Sequence, residues 1–332
     1  MPGFVDTVIE SLKQTLNWPL LLYFFAVQLI EGVVIGVILV FFVLLGLLSL
    51  FGSLDFSSIQ GIAQQFSNPA LLLNLVGIIA LLVVAFFLVV MYVSALFAGW
   101  RLNLFNNFLK SKRLDLGRAF AQAKPRAFTY FKIDLLVTVI ILLVLFVPFF
   151  LAFLPILAYL PGSPPSTVVG QFLAGILAAF LWLLLGLIAL FFVSPVMFLF
   201  APVAFFERQG AIDSIRRSIA LVKTNYWGNL AFILVYFVIV FFINLIVNAI
   251  LRILSIPLLV PLVMAGESGA GPAVAGMLGF MALFGVLSVI ILVPYVIWVV
   301  AFQIACLRNL YFLDFSLFRG PGGKARPKRR TK

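Results

Sequence analysis

Histidine is absent from this chain of 332 residues, and Cys306 is its only cysteine. Common zinc, haem and thiol sites depend on these two residue types, so the composition argues against such sites. A single cysteine also cannot form an intrachain disulfide. We therefore expect neither a cofactor nor a metal ion.

Acidic residues are scarce as well, and the ten Asp and Glu residues are scattered along the chain. No two of them form an obvious acid–base pair within an apolar segment, and no glycine-rich phosphate loop with its lysine occurs. Asp213 and Glu207 remain as candidates for catalysis, but Asp213 precedes a helical run and is expected to be an N-cap. We expect a non-enzymatic protein, with a membrane-embedded lipid enzyme as the weaker alternative.

What the chain has in abundance is apolar sequence: 65% of the residues are hydrophobic, 10% are charged, and the mean hydropathy is +1.27. Soluble globular chains are roughly 45–50% apolar and about a quarter charged. Runs long enough to cross ~30 Å of hydrocarbon recur along the sequence. We predict an all-α polytopic integral membrane protein with six transmembrane helices and short amphipathic interfacial helices. The predicted spans are residues 19–50, 70–100, 128–159, 168–204, 227–255 and 274–307.

The basic residues are distributed unevenly between alternate loops. Segments 51–69, 160–167 and 256–273 contain no Lys or Arg, and Arg252 is the one base among 22 that is not predicted on the side of the termini. By the positive-inside rule both termini are cytoplasmic, and we place the protein in the plasma membrane. The N-terminus lacks the basic region of a signal peptide, so we expect the first apolar segment to be retained as a span.

Self-comparison indicates three related helix-hairpin units with a period of roughly 100 residues. Each unit opens with an amphipathic stretch, continues with an aromatic residue and then has two spans. The openings are 4–19 with Trp18, 115–131 with Phe128, and 211–230 with Trp227. Each opening is expected to be an interfacial helix whose bases approach lipid phosphates, or alternatively a helical extension of the following span. We predict a single transmembrane domain over residues 1–318, with repeat units of about 4–100, 115–206 and 211–310.

The third opening reads AIDSIRRSIALVKTNYWGNL, with Ala or Ile alternating with Arg or Ser before a lysine, an aromatic residue and a span. This order resembles a signature of the membrane domain that precedes the catalytic domain in some bacterial glycerophosphodiester phosphodiesterases. It is also similar to stand-alone prokaryotic, often archaeal, six-span membrane proteins. The resemblance implies a membrane module. The sequence departs from the phosphodiesterases in having no soluble catalytic domain, so we do not expect phosphodiesterase activity.

One acidic residue lies deep in a predicted span. If hydrocarbon begins near Leu20, Glu31 lies roughly 17 Å inside it, with Gln28 one turn away on the same face. Gly32 and Gly36 form a small-xxx-small pair beside it. Glu31 could be the proton or cation site of a small transporter or channel. We favour a neutral acid that joins Gln28 in interhelical hydrogen bonds, because no second charge is expected at that depth.

Several bases on the cytoplasmic side are candidate contacts for anionic lipid head groups. They are Arg118, Lys124, Arg126, Arg216, Arg217 and Lys223, together with Lys328, Arg329 and Arg330 of the tail. The tail, residues 319–332, is rich in Gly and Pro and is expected to be disordered. No aromatic residues alternate with its bases, so no specific nucleic-acid partner is predicted. A protein partner or a second copy of the chain is an open alternative to lipid.

A polar stripe marks the fifth predicted span, where Asn244, Asn248 and Arg252 recur at every fourth residue. Asn244 lies about 27 Å along this span, so Arg252 is expected at the external interface. There it would pair with Glu267 or Asp55, or meet an external anion.

The sequence therefore predicts a non-enzymatic membrane module that organises lipid or a partner protein through a basic cytoplasmic face. The alternative is a small transporter or channel that uses Glu31. A polar, water-filled cavity that reaches Glu31 would favour transport, whereas a dry, tightly packed site would favour the module.

Overall fold

The computed structural model describes residues 4–53, 69–151, 165–207, 209–264 and 270–319. These ranges contain eight α-helices and no β-strand. The helices are α1 (Phe4–Thr15), α2 (Trp18–Ser53), α3 (Pro69–Ser111), α4 (Leu116–Leu151), α5 (Pro165–Phe206), α6 (Ala211–Thr224), α7 (Tyr226–Met264) and α8 (Ala270–Arg319). All except α1 and α6 are long and apolar enough to cross a membrane. The chain is an all-α membrane protein with six candidate spans, as the sequence predicts.

Two predicted boundaries are wrong. Helix α3 does not end at residue 100 but continues to Ser111, and Lys112 then takes a left-handed conformation with φ 55°. The Lys112 amide donates to the Phe108 carbonyl oxygen at 2.8 Å, which closes the last turn. Most of the predicted loop 256–273 is also helical, because the apolar α7 continues to Met264 and α8 begins at Ala270.

The three amphipathic openings fold in two ways. The first and third form the separate helices α1 and α6, whereas the second runs without a break into the span of α4. At residues 115–131 the expectation of a separate interfacial helix is therefore wrong. The alternative, a helical extension of the following span, is correct there. The breaks before α2 and α7 have a local cause, because an asparagine precedes each of these helices. Asn17 precedes α2 and its Oδ1 accepts the Leu20 amide at 3.3 Å, and Asn225 precedes α7. The residue before Phe128 is the strong helix former Ala127.

Prolines inside the long helices leave carbonyl oxygens without their usual amide partners, and side chains replace two of these partners. Pro148 has no N–H for the Val144 carbonyl, which accepts a bond of 2.8 Å from the Trp182 indole of α5. Pro195 likewise frees the Phe191 carbonyl, to which the Ser194 hydroxyl donates at 2.7 Å. Such replacement allows proline to remain within a membrane-spanning helix.

Residues 26–219 form one compact unit, which we call the α3–α5 unit. In this unit α3 packs on α4, and α4 packs on α5. The buried side chains lie mostly where α3 and α5 end and α4 begins. They include Leu102, Leu104 and Phe105 of α3, Ala119, Ala123 and Ala127 of α4, and Leu199, Val203 and Ala204 of α5. Farther along the same helices most large apolar side chains are exposed, as expected for surfaces that face lipid. We call the buried end the packed end of this unit.

The described residues within 1–25 and 220–332 form the second compact unit, the α7–α8 unit, in which α1 packs on α7 and α8. The buried face of α1 includes Ser11, whose hydroxyl accepts a bond of 2.9 Å from the Asn309 amide of α8. Gln14 accepts a second bond from Asn309 at 3.1 Å. Helix α1 is thus held by polar contacts to α8, one of the candidate spans.

Candidate functional site

Glu31 lies in a buried polar cluster of the α3–α5 unit. Its side chain is only 7% exposed and forms an ion pair with Arg101 of α3, through Oε2 and Nη1. The same Nη1 donates to Gln28 Oε1 at 2.6 Å. The expectation that Glu31 has no charged partner at its depth is wrong. The predicted span 70–100 stops one residue before Arg101, whereas α3 continues through Arg101 to Ser111.

Contacts between α3 and α4 show where along the helices this cluster lies. The Trp100 indole donates to the carbonyl of Leu116, the first residue of α4, at 3.0 Å, and its ring contacts Phe120. The cluster is therefore level with the beginning of α4, where Arg118 and Lys124 are exposed. A position near the membrane midplane would carry these two charges into hydrocarbon, which is costly. The cluster belongs to the packed end, and this cost argues for a position shallower than the roughly 17 Å counted from Leu20, a depth that stays a prediction.

The glycines near Glu31 do not form the predicted close contact. A Cβ added at Gly32 or Gly36 would meet no atom within 4 Å of the described structure. The close approach occurs at Gly99 instead, one turn from the packed end of α3, where an added Cβ would run into the ring of Phe205 of α5.

Substitution of Gly99 and Gly32 by alanine should distinguish a glycine in close helix contact from a glycine with no neighbour. Gly99→Ala is expected to destabilise the protein by about 1–3 kcal/mol, because the methyl group overpacks the contact with Phe205. Gly32→Ala should be neutral or stabilising by up to ~1 kcal/mol, because alanine favours the helix and meets no neighbour. Thermal unfolding in detergent micelles, followed by tryptophan fluorescence, measures both. Equal destabilisation by the two variants would contradict the packing described for Gly99.

The predicted head-group contacts differ in their exposure and in their partners. Arg118, Lys124, Arg216 and Lys223 are exposed, and Arg126 is half-buried. Arg217 is used differently: its Nε donates to both carboxylate oxygens of Glu207, at 3.2 and 3.0 Å. This ion pair fastens the end of α5 to α6 and makes Arg217 less available to a head group than the exposed Arg216, so its contact with lipid stays a prediction. Lys328, Arg329 and Arg330 lie outside the described residues.

A cavity of about 410 Å³ lies between α4, α5 and α6 within the α3–α5 unit. Its walls are formed by Leu136, Ile140 and Val144 of α4 and by a facing row on α5 that includes Val193, while Ile215 and Ile219 of α6 contribute at the packed end. All the lining residues are apolar. Neither Glu31 nor Gln28 lines this cavity. Sequence patterns do not predict it, because the stretches of α4 and α5 that line it are apolar on all sides and the residues that face the cavity resemble those that face lipid.

Comparison with known proteins places the chain in a family. A family model described as "Family of unknown function (DUF7544)" matches residues 21–318. The chain belongs to this family. The DUF7544 match covers nearly the whole of the six candidate spans and leaves out α1. No match was found among curated proteins or among solved structures. The DUF7544 description assigns no activity, so the resemblance of residues 211–230 to phosphodiesterase membrane domains stays an expectation.

The two acids considered for catalysis have other surroundings in this DUF7544 protein. Helix α6 begins at Ala211, and the Ser214 amide donates to the Gly210 carbonyl at 2.9 Å. Asp213 is thus the third helical residue, not the N-cap, although its charge still favours the helix N-terminus. Glu207 is bonded to Arg217. Within the described ranges, no group of three or more His, Cys, Asp or Glu residues could hold a metal ion.

The polar stripe of α7 is exposed in the α7–α8 unit. Asn248 Nδ2 donates to the Asn244 carbonyl at 2.8 Å and to Asn244 Oδ1 at 2.9 Å, so these bonds stay within one helix. Arg252 continues the stripe and is exposed as well. Its predicted partners Glu267 and Asp55 lie outside the described residues.

Proposed function

We propose that this DUF7544 protein is a non-enzymatic membrane module that holds anionic lipids at the packed end of its helices. The observation that carries the proposal is the imbalance of available charge at this end of the α3–α5 unit. Glu31 and Glu207 are each neutralised by an arginine, which leaves Asp115 and Asp213 as the exposed acids of the described residues there. They are outnumbered by exposed bases, which are Lys110, Lys112, Arg113, Arg118, Lys124, Lys132 and Arg216. The accessible surface there is consequently rich in bases that anionic head groups can approach.

The location of the bases also supports a membrane partner. By the positive-inside rule, this end faces the cytoplasm and both termini are cytoplasmic. The cytoplasmic leaflet of the plasma membrane carries anionic lipids, whose surface potential attracts bases close to it. Trp18 and Trp227 of the α7–α8 unit are exposed, and so is Phe128 of the α3–α5 unit, as aromatic residues at a membrane interface would be.

Lipid selectivity tests this proposal. The protein is reconstituted into nanodiscs of phosphatidylcholine mixed with phosphatidylglycerol, and the lipids that remain bound after transfer to mild detergent are counted by native mass spectrometry. We expect phosphatidylglycerol to be retained preferentially. Replacing Arg118, Lys124 and Arg216 by glutamine should lower this preference by about fivefold for each base.

Arg252→Gln is the matched control, because it removes one base from the polar stripe of α7 and should leave the preference unchanged. Equal retention of both lipids by the wild-type protein would overturn the proposal. Equal loss in Arg252→Gln would show that the preference depends on net charge and not on the packed end.

The alternative of a small transporter or channel has less support, because Arg101 already compensates Glu31 and the apolar cavity does not include it. Proteoliposomes that contain a pH-sensitive dye test this alternative. We expect the same proton leak as in protein-free liposomes. A proton flux that Glu31→Gln abolishes would favour transport over the lipid module.

A further inference from the structure

The apolar cavity has the length and the surroundings of a site for a lipid chain. Along α5 its lining extends from Phe200 near the packed end to Gly186, which is roughly 21 Å of helix. One leaflet contributes roughly 15 Å to the hydrocarbon core, so the cavity runs through about the depth of one leaflet. We propose that it is a groove that holds one acyl chain of an anionic phospholipid, whose phosphate lies at Lys132 and Arg216. The proposal rests on the proposed function and assigns it a site.

The far end of this groove is closed by α4 and α5 themselves. Leu145 of α4 lies directly on Gly186 of α5, where even a Cβ would not fit beside it. One turn beyond Gly186, the Trp182 indole bonds to the Val144 carbonyl that Pro148 leaves free. This bond joins the two helices at the end of the groove and limits how far a chain can enter.

The lining chemistry selects an acyl chain over a polar ligand. A polar group in the groove would lose its hydrogen bonds to water and find no side-chain partner there, because all lining residues are apolar. A hydrocarbon chain has no such requirement and gains contact with side chains on both walls. The volume of about 410 Å³ is also within the usual range for a small-molecule site.

The polar end of the groove has bases in the positions that a phosphate requires. Lys132 is exposed and lies one turn before Leu136, which is at the edge of the α4 face that lines the groove. Its Nζ lies 4.6 Å from the centre of the Phe128 ring, which supports the side chain. Arg216 is exposed and follows Ile215, which lines the groove from α6. A lipid chain in the groove would therefore place its head group beside two cations from different helices.

Photocrosslinking with lipid probes tests the groove. Phosphatidylglycerol and phosphatidylcholine, each with a diazirine in the acyl chain, are incorporated in turn into nanodiscs that contain the full chain. We expect phosphatidylglycerol to crosslink to peptides 136–145 and 186–200 in preference to phosphatidylcholine. Ala189→Trp should reduce this yield at least fivefold, because Ala189 lines the groove and is exposed, so that the indole fills the groove without displacing the core.

Ala178→Trp is the matched control. Ala178 is exposed on the same face of α5, about three turns from Ala189 and outside the groove, so the yield should not change. Lys132→Gln together with Arg216→Gln should lower the phosphatidylglycerol yield towards that of phosphatidylcholine, with Lys110→Gln as the control for loss of a base elsewhere. Tryptophan fluorescence and size-exclusion profiles verify that each variant is folded.

The outcomes separate this inference from the proposed function. An unchanged crosslinking yield in Ala189→Trp would overturn the groove, even if phosphatidylglycerol were still retained through Arg118 and Lys124. Equal wild-type yields for the two lipids would overturn the head-group assignment at Lys132 and Arg216, whereas the proposed function fails only if the retention measurement also shows no preference for phosphatidylglycerol. If no crosslinks formed and Ala189→Trp dissociated a dimer, the inference would be overturned. The groove would then be the place where a second copy of the chain binds.

Discussion

Arg101→Leu is expected to destabilise the protein by about 3–5 kcal/mol, because it removes the cation from a buried carboxylate. The Glu31 side chain is 7% exposed, and its described ion pair is with Arg101. Gln28 cannot replace that partner, since it is neutral and itself accepts a bond from Arg101. Leucine keeps much of the apolar volume of the arginine side chain, so the effect reports the lost charge. Unfolding in mixed micelles, titrated with SDS and followed by tryptophan fluorescence, measures the change in free energy.

Two comparisons isolate the charge effect. Arg113→Leu removes an exposed base that follows the end of α3 and should change stability by less than about 0.5 kcal/mol. The double variant Arg101→Leu with Glu31→Leu should recover most of the loss, because a buried ion pair can be exchanged for apolar residues at little or no cost. If the double variant were as unstable as the sum of its single substitutions, Arg101 and Glu31 would not act as a pair.

The six spans were predictable because apolar runs of this length have few alternatives to crossing a bilayer. Glu31 and Gln28 were also identified as a polar pair from residue type and helical spacing. Their partner Arg101 was missed because hydropathy falls at the first base after a span, whereas the helix itself continues to Ser111. Hydrophobicity reports where a helix leaves lipid, and the left-handed Lys112 decides where the helix ends.

The groove was not predictable for a related reason. Leu136 lines the groove and Leu142 is exposed outside it, yet both belong to the same apolar stretch of α4. A helix that is apolar on every side has no periodic pattern that distinguishes a cavity wall from a lipid-facing surface. The cavity wall is distinguished from the lipid-facing surface only by contacts between residues distant in sequence, such as Leu145 with Gly186 and Trp182 with Val144. Contacts of this kind depend on the register between helices, which composition does not determine.

Phe105→Ala is expected to cost about 3–5 kcal/mol, because Phe105 is fully buried at the packed end of α3 and its removal leaves a cavity. The neighbouring buried residues belong to helices already fixed by the Trp100 and Arg101 contacts, so they can relax only in part. The same unfolding assay in mixed micelles measures the loss. If stability were instead distributed evenly along the helices, this substitution would have no special effect compared with other phenylalanines of α3.

Phe87 provides the comparison, since it lies about five turns before Phe105 on the same face of α3 and is 59% exposed. Phe87→Ala should change stability by less than about 0.5 kcal/mol, because lipid or detergent replaces the lost side chain. A large difference between the two variants would establish that the α3–α5 unit is held together at its packed end. Between the packed end and the Trp182–Val144 bond, α4 and α5 would then be free to separate enough for a lipid chain to enter between them. Similar losses for Phe87→Ala and Phe105→Ala would contradict this division and remove the structural reason for a groove that opens to lipid.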